Sequence, residues 1–202
     1  KLLNQFWKLS LCSFVVFALS ACKEKAAEEP ESKPAKKTEA ASTPEPPNID
    51  TAVAKGDIET VKQILAENPA AASAGSRPSM PPLHQSILRK KAEIALLLIE
   101  AGADVNAVDS SKRTSLHLCV ERDLPDLVGP LVKAGAKTAE GDDAGWTPLH
   151  LAGAKDRVAV AKQLLENGAD ISALSNLGGN PLHEAAASGS AEIIQLYLDA
   201  GV

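Results

Sequence analysis

Apolar residues in this chain recur in a two-block rhythm. A short block, Leu149-His150-Leu151-Ala152, is followed by a longer one, Val158-Ala-Val160-Ala-Lys-Gln-Leu164-Leu165. The longer block has helical spacing, and Gly168 follows it as a left-handed helix terminator would. The same features return every 33 residues. Leu83, Leu116, Leu149 and Leu182 each precede one of the chain's four histidines, His84, His117, His150 and His183. Gly102, Gly135, Gly168 and Gly201 close the long blocks at the same step. A period of this length means stacked copies of one supersecondary unit, each too thin to bury its apolar face alone. Only 3% of the residues are aromatic, so small and branched aliphatics must do the packing.

The best copy runs Asp142-Asp143-Ala-Gly145-Trp146-Thr147-Pro148-Leu149-His150-Leu151-Ala152 and continues through the long block to Gly168-Ala169-Asp170. Thr147 can cap the first helix and Pro148 suits its first position. This string resembles the ankyrin repeat, whose motif is T-P-L-H-x-A. The resemblance implies an all-α solenoid of helix-turn-helix units joined by β-hairpin loops. Five units follow, at about 48–74, 76–108, 109–141, 142–174 and 175–202.

The units are not equal. In the first, Asn48-Ile49-Asp50 stands where the others have x-Leu-His, the step is one residue longer, and Asn68-Pro69 replaces the glycine stop. It reads as an N-terminal capping unit. The second opens with Pro81-Pro82-Leu83-His84 and loses the Thr cap, and the fifth substitutes Asn180. In the third, Pro130 lies five residues after Pro125 and is expected to kink or shorten the outer helix, a bend that would open a groove. The fifth unit carries Ile193, Ile194, Leu196, Tyr197 and Leu198, whereas a terminal repeat normally turns a polar face outward. With Lys1 in place of a Met, this leads to the expectation that the chain is trimmed at one or both ends.

Residues 1–21 read as a signal peptide. Lys1 and Lys8 form a positive region, and residues 9–19 are apolar apart from Ser10 and Ser13, too short to span a membrane comfortably. The segment ends in Leu19-Ser20-Ala21-Cys22, which resembles the lipobox of bacterial lipoproteins. That resemblance implies acylation of Cys22 and a stable lipid anchor in the bacterial envelope. Lys23 lacks the Asp that would retain a lipoprotein at the inner membrane, so an outer-membrane position facing the periplasm is expected. Residues 22–47 then read as the lipidated cysteine and a disordered Lys/Glu/Pro/Ala linker. Fully extended it would reach roughly 75 Å.

Net charge is −5, and about −7 without the leader, so no nucleic-acid target is indicated. Once Cys12 leaves and Cys22 is acylated, only Cys119 remains, and no internal disulfide can form. The four histidines sit in different units whose helices lie about 8–10 Å apart, too far to share one zinc ion with ligands at about 2 Å. Their expected partners are the Thr or backbone of their own or a neighbouring turn. Cys119 takes the small buried slot of Ala152 and Ala185, two residues from His117 and diverging from it. No nucleophile, Walker-type or paired-carboxylate motif appears. The reading is therefore a protein without enzymatic activity and without a cofactor.

What remains is surface. The resemblance implies a concave binding face built from the hairpin tips and the exposed side of the inner helices. Carried onto this chain, it gives Arg77, Met80, Arg89, Arg113, Arg122, Asp143, Trp146, Lys155, Asn176 and Leu177 as partner-binding residues, with Trp146, Arg113 and Arg122 as the expected hot region. The implied function is protein binding by a monomer held at the membrane through its lipid alone. By analogy with exported ankyrin proteins, this is an immunity role that blocks a periplasmic hydrolase, or alternatively an envelope or stress-response scaffold.

Overall fold

The computed structural model describes residues 48–75 and 80–201. The segments read from the sequence as a signal peptide and a linker, with Cys22 and Arg77, lie outside them. Each unit supplies an inner and an outer helix, numbered here α1 to α10. The pairs are α1 (Ile49–Lys55) with α2 (Ile58–Glu67), α3 (Pro82–Leu88) with α4 (Ala92–Glu100), and α5 (Ser115–Arg122) with α6 (Val128–Lys133). Then come α7 (Pro148–Ala154) with α8 (Val158–Glu166), and α9 (Pro181–Ser188) with α10 (Ala191–Asp199). The odd-numbered helices stack on one another in order, and the even-numbered helices form a second row behind them. This is the helical solenoid that the repeat period requires.

Local sequence explains the element ends. Pro148 and Pro181 begin their helices, where a missing N–H costs nothing. The closing glycine of the second to fifth units holds a left-handed φ, +81° at Gly168, which L side chains seldom adopt. The inner-to-outer turns also need one left-handed residue. Gly56 and Gly189 supply it at the two ends, but Lys90, Asp123 and Asp156 do so in between.

The core is a single ladder of aliphatics. Leu83, Leu116 and Leu149 are fully buried, as are Leu98, Leu131 and Leu164 on the outer row. Each such burial stabilises the stack by roughly 1.5–3 kcal/mol. Cys119, Ala152 and Ala185 are also fully buried, and their small size lets neighbouring inner helices close up.

The irregular units resolve differently. Asn48 caps α1 by accepting from the Asp50 N–H at 3.0 Å, and a short 3-10 turn, Pro69–Ala72, follows α2 in place of a glycine stop. In the third unit a 3-10 turn, Pro125–Leu127, precedes a six-residue α6. Pro130 then falls in the first turn of α6, where its missing N–H has no intrahelical acceptor to lose. The helix is shortened, and that relieves the need for a kink.

The fifth unit corrects the expectation of an apolar outer face. Ile193 and Tyr197 are fully buried, Ile194 and Leu196 are half-buried, and of the five only Leu198 is exposed. Tyr197 replaces the leucine found at Leu131 and Leu164. Its hydroxyl reaches back to donate to the Leu149 carbonyl at 2.8 Å. Gly153 makes the room: a Cβ there would stand 3.2 Å from the Tyr197 ring and 2.8 Å from the Pro181 carbonyl oxygen.

Candidate functional site

The tips between units are tight turns. Among the described residues no strand forms, yet the turns carry hairpin-like bonds. The Asp142 N–H donates to the Trp146 carbonyl at 2.9 Å, and the Ser175 N–H to the Gly179 carbonyl at 2.8 Å. Aspartates organise them. Asp142 Oδ1 accepts from the N–H groups of Ala144 and Trp146, and Asp109 Oδ1 does the same for Ser111 and Arg113. Burial disfavours the charged form of Asp109, but the hydrogen bonds from the Arg113 side chain and the backbone outweigh it and hold its pKa below the usual value. Adjacent tips are linked directly, with the Asp143 N–H donating to the Ser111 carbonyl and the Asn176 N–H to the Ala144 carbonyl. Gly145 is obligatory at this contact. Its φ is +74°, and any Cβ would collide with Asn176.

Two histidines lock these tips to the inner helices. His117 Nδ1 accepts from the Thr114 N–H at 3.1 Å, which places the ring proton on Nε2, and Nε2 then donates to the Trp146 carbonyl at 2.8 Å. His150 repeats this with the Thr147 N–H and the Gly179 carbonyl, 3.2 and 3.0 Å away. Thr114 and Thr147 complete the capping boxes. Burial, partly offset by the Trp146 carbonyl, lowers the pKa of His117 and keeps the ring neutral.

The locked tips frame a cleft of about 480 Å³ between the third and fourth units. Arg113, Trp146 and Lys155 line it together, three residues named from the sequence. Ser111, Glu121, Asp142, Ala144 and Leu151 complete the lining. Arg113 is braced on one wall by Asp109 at 2.7 Å and Glu121 at 2.6 Å. Trp146 packs its ring against the core and remains half-buried, while Lys155 is exposed on the opposite side. The cleft thus offers an aromatic surface, an immobilised guanidinium and an ammonium group with no ion pair among the described residues.

The other named residues are distributed more widely. Arg122 does not line the cleft, which corrects the expected grouping with Trp146. It is half-buried at the end of α5, and its Nε has no hydrogen-bond partner among the described residues. Arg89 is exposed at the end of α3, and Met80 is half-buried before it. At the tips, Asp143 pairs with Lys112 at 3.3 Å and Asn176 Nδ2 donates to the Asp143 carbonyl at 3.1 Å. Leu177, 95% exposed, stands clear of everything else. Asp142, Ala144 and Leu151 were not singled out by the sequence, because their motif roles in turn and core conceal the edge they share with the cleft.

Cys119 is fully buried, and burial alone pushes its thiol up to about 12. Its sulfur is a neutral packing atom at ordinary pH.

Comparison with known proteins agrees with this architecture. A search of curated proteins gives no match. The family model described as ankyrin repeats (3 copies) matches residues 49–142 and again 131–202. Repeats of this kind serve in general as protein-binding scaffolds. Together the two matches span most of the chain and all the helices described above, and the chain belongs to the ankyrin-repeat family.

Proposed function

We propose that the chain is a membrane-tethered binding module that grips another protein with its hairpin tips and inner helices. In this reading Cys22 carries the lipid, residues 23–47 act as the tether, and the site of action is the bacterial envelope, at the outer membrane facing the periplasm. The tether concentrates the module near the membrane without adding contacts of its own. The sharper form of the proposal is self-protection, in which the bound protein is a periplasmic hydrolase. A scaffold for envelope proteins is the second form.

The observation that carries the proposal is the cleft formed by Trp146, Arg113 and Lys155. Its rear walls are fixed by the His117 and His150 clamps and by the Asp109 and Glu121 braces. A rigid aromatic beside charged groups is the composition found at interface hot spots. Preorganisation of this kind lowers the ordering cost of association.

The test is cross-linked capture from envelope fractions with the full chain and its Trp146→Ala variant. Capture of one defined protein, lost in the variant while melting shows a folded chain, supports the proposal. Undiminished capture by Trp146→Ala rejects the cleft. Capture of a hydrolase with inhibition of its activity selects self-protection over the scaffold.

A further inference from the structure

The last residue or cap of each inner helix forms a column through the stack. Its members are Lys55, Arg89, Arg122, Lys155 and, in the fifth unit, Ser188. Four successive units therefore place a cation at the same point, beginning at the capping unit and ending beside the Trp146 cleft, which Lys155 lines. A cation at a helix C-terminus is favourable by itself, which explains the residue type at any single position.

Among the described residues the column shares its lack of a near carboxylate with Lys90, Lys91, Lys133 and Lys162, and what sets it apart is that its four cations recur at one repeat position in successive units. Lys62, Lys112, Arg113, Lys137 and Arg157 all lie within ion-pair distance of a carboxylate. None of the four column cations does, among the described residues, although Glu121 and Asp123 flank Arg122 in sequence. Those two acids are turned to other partners, Glu121 to Arg113 and Asp123 to Arg157. Arg122 also has a buried Nε with no hydrogen-bond partner among the described residues, as does Arg157. Glu121 and Asp123 thus leave Arg122 without a carboxylate at ion-pair distance, among the described residues.

We infer that this row, Lys55–Arg89–Arg122–Lys155, is the track for an acidic segment of the partner protein, bound in extended form. The inference rests on the protein-binding reading above and names the chemistry of what is bound. Stacked helices lie about 8–10 Å apart, so the cations recur at that interval. A segment in polyproline II form advances about 3.1 Å per residue with three residues per turn, so every third side chain returns to the same side and meets a new cation. The partner segment then carries carboxylates at positions i, i+3, i+6 and i+9. A short acidic segment touches only the row. A nucleic acid or an anionic membrane would also face the acids that give the chain its net charge of −5.

The experiment uses the full chain and fluorescent 12-residue peptides. One peptide repeats Glu-Ser-Gly four times, and the other has the same composition with its four glutamates contiguous. Serine stands at this position in the fifth unit, so Arg89→Ser with Lys155→Ser is a conservative way to remove two rungs. Lys133→Ser with Lys162→Ser removes equal charge from the outer helices. The expected result is that the spaced peptide binds about fivefold tighter than the contiguous one, and that the rung variant loses about tenfold, in line with a few exposed ion pairs. The outer-helix variant binds as the parent does, and binding weakens with added salt.

Equal binding of the two peptides overturns the register. Equal losses in the two variants overturn the track, leaving only net charge. Tighter, rung-dependent binding of anionic lipid vesicles or duplex DNA overturns the assignment to a protein segment. The two levels fail separately. If Trp146→Ala abolishes partner capture while the peptides show no rung dependence, the acidic track falls and the binding cleft stands. If the peptides behave as expected while Trp146→Ala captures normally, the cleft falls and the track stands.

Discussion

His150 and His84 occupy the same position in the fourth and second units, both almost wholly buried, and their surroundings set them apart. His150 closes a box with Thr147 and reaches the Gly179 carbonyl of the next tip. His84 follows Pro81, which has no N–H or hydroxyl to offer, and neither ring nitrogen makes a hydrogen bond of good geometry among the described residues, with the Ala107 backbone nearby. The imidazole is therefore not intrinsically stabilising. It stabilises where a threonine fixes one nitrogen and the next unit supplies a carbonyl for the other. The fifth unit makes the same point from another side. His183 keeps its cap through Asn180, but it is exposed.

The largest expected effect separates interior from end. Leu149→Ala should cost about 3 kcal/mol of stability, because the site is closed by units on both sides, while Leu182→Ala, half-buried, should cost about 1 kcal/mol. Denaturant titration of the two variants checks this, and equal losses would mean that the stack does not act as a sum of neighbour interfaces.

Next comes Gly153→Ala, expected to cost about 2 kcal/mol through the contacts with the Pro181 carbonyl and the Tyr197 ring. The equivalent Ala186 is exposed, so Ala186→Val should change stability by less than about 0.5 kcal/mol. Thermal melting distinguishes them.

The histidines themselves should differ in sign or nearly so. His150→Leu should cost about 2 kcal/mol, since it strands the Thr147 N–H and weakens the tip contact, whereas His84→Leu should be close to neutral or stabilising because it removes an unpartnered polar group. A matching loss at both positions would show that His84 makes a bond in solution.

The smallest effect is the response to acid. Burial is the main cause of the lowered pKa of both His84 and His117. Below the ordinary value of 6.5 the unfolded chain takes up protons that the folded rings refuse. This part of the stability is complete above pH 6.5 and declines as pH falls from there toward the folded values. Urea midpoints between pH 7.5 and 5 should fall, and the fall should be shallower in His84→Leu.

Much of this was legible in the sequence because repeats mark their own boundaries. The Leu-His step and the closing glycines place the four helix pairs after the first, and Thr147-Pro148 announces a capped start. Pro81 was visible as a lost cap, but what His84 would then lack depends on the facing unit. Tyr197 was misjudged for the same reason: its hydroxyl partner is Leu149, 48 residues earlier, and its space comes from Gly153. In the cleft, Arg113, Trp146 and Lys155 could be grouped from their repeat positions. Arg122 could not be excluded from that group, and Asp142 and Leu151 could not be added, because a one-dimensional period does not say which side of a helix end faces the tip.

The central claim is that the repeated positions hold the stack and the non-repeated ones on the tip and inner-helix edge meet the partner. Hydrogen exchange of the chain, free and bound to its captured partner, tests it directly. The account predicts slowed exchange at Ser111, Ala144 and Trp146 in the tips and at Lys155 and Asp156 after α7, with α6 and α8 unchanged. Protection confined to α6, α8 and the outer row would contradict it.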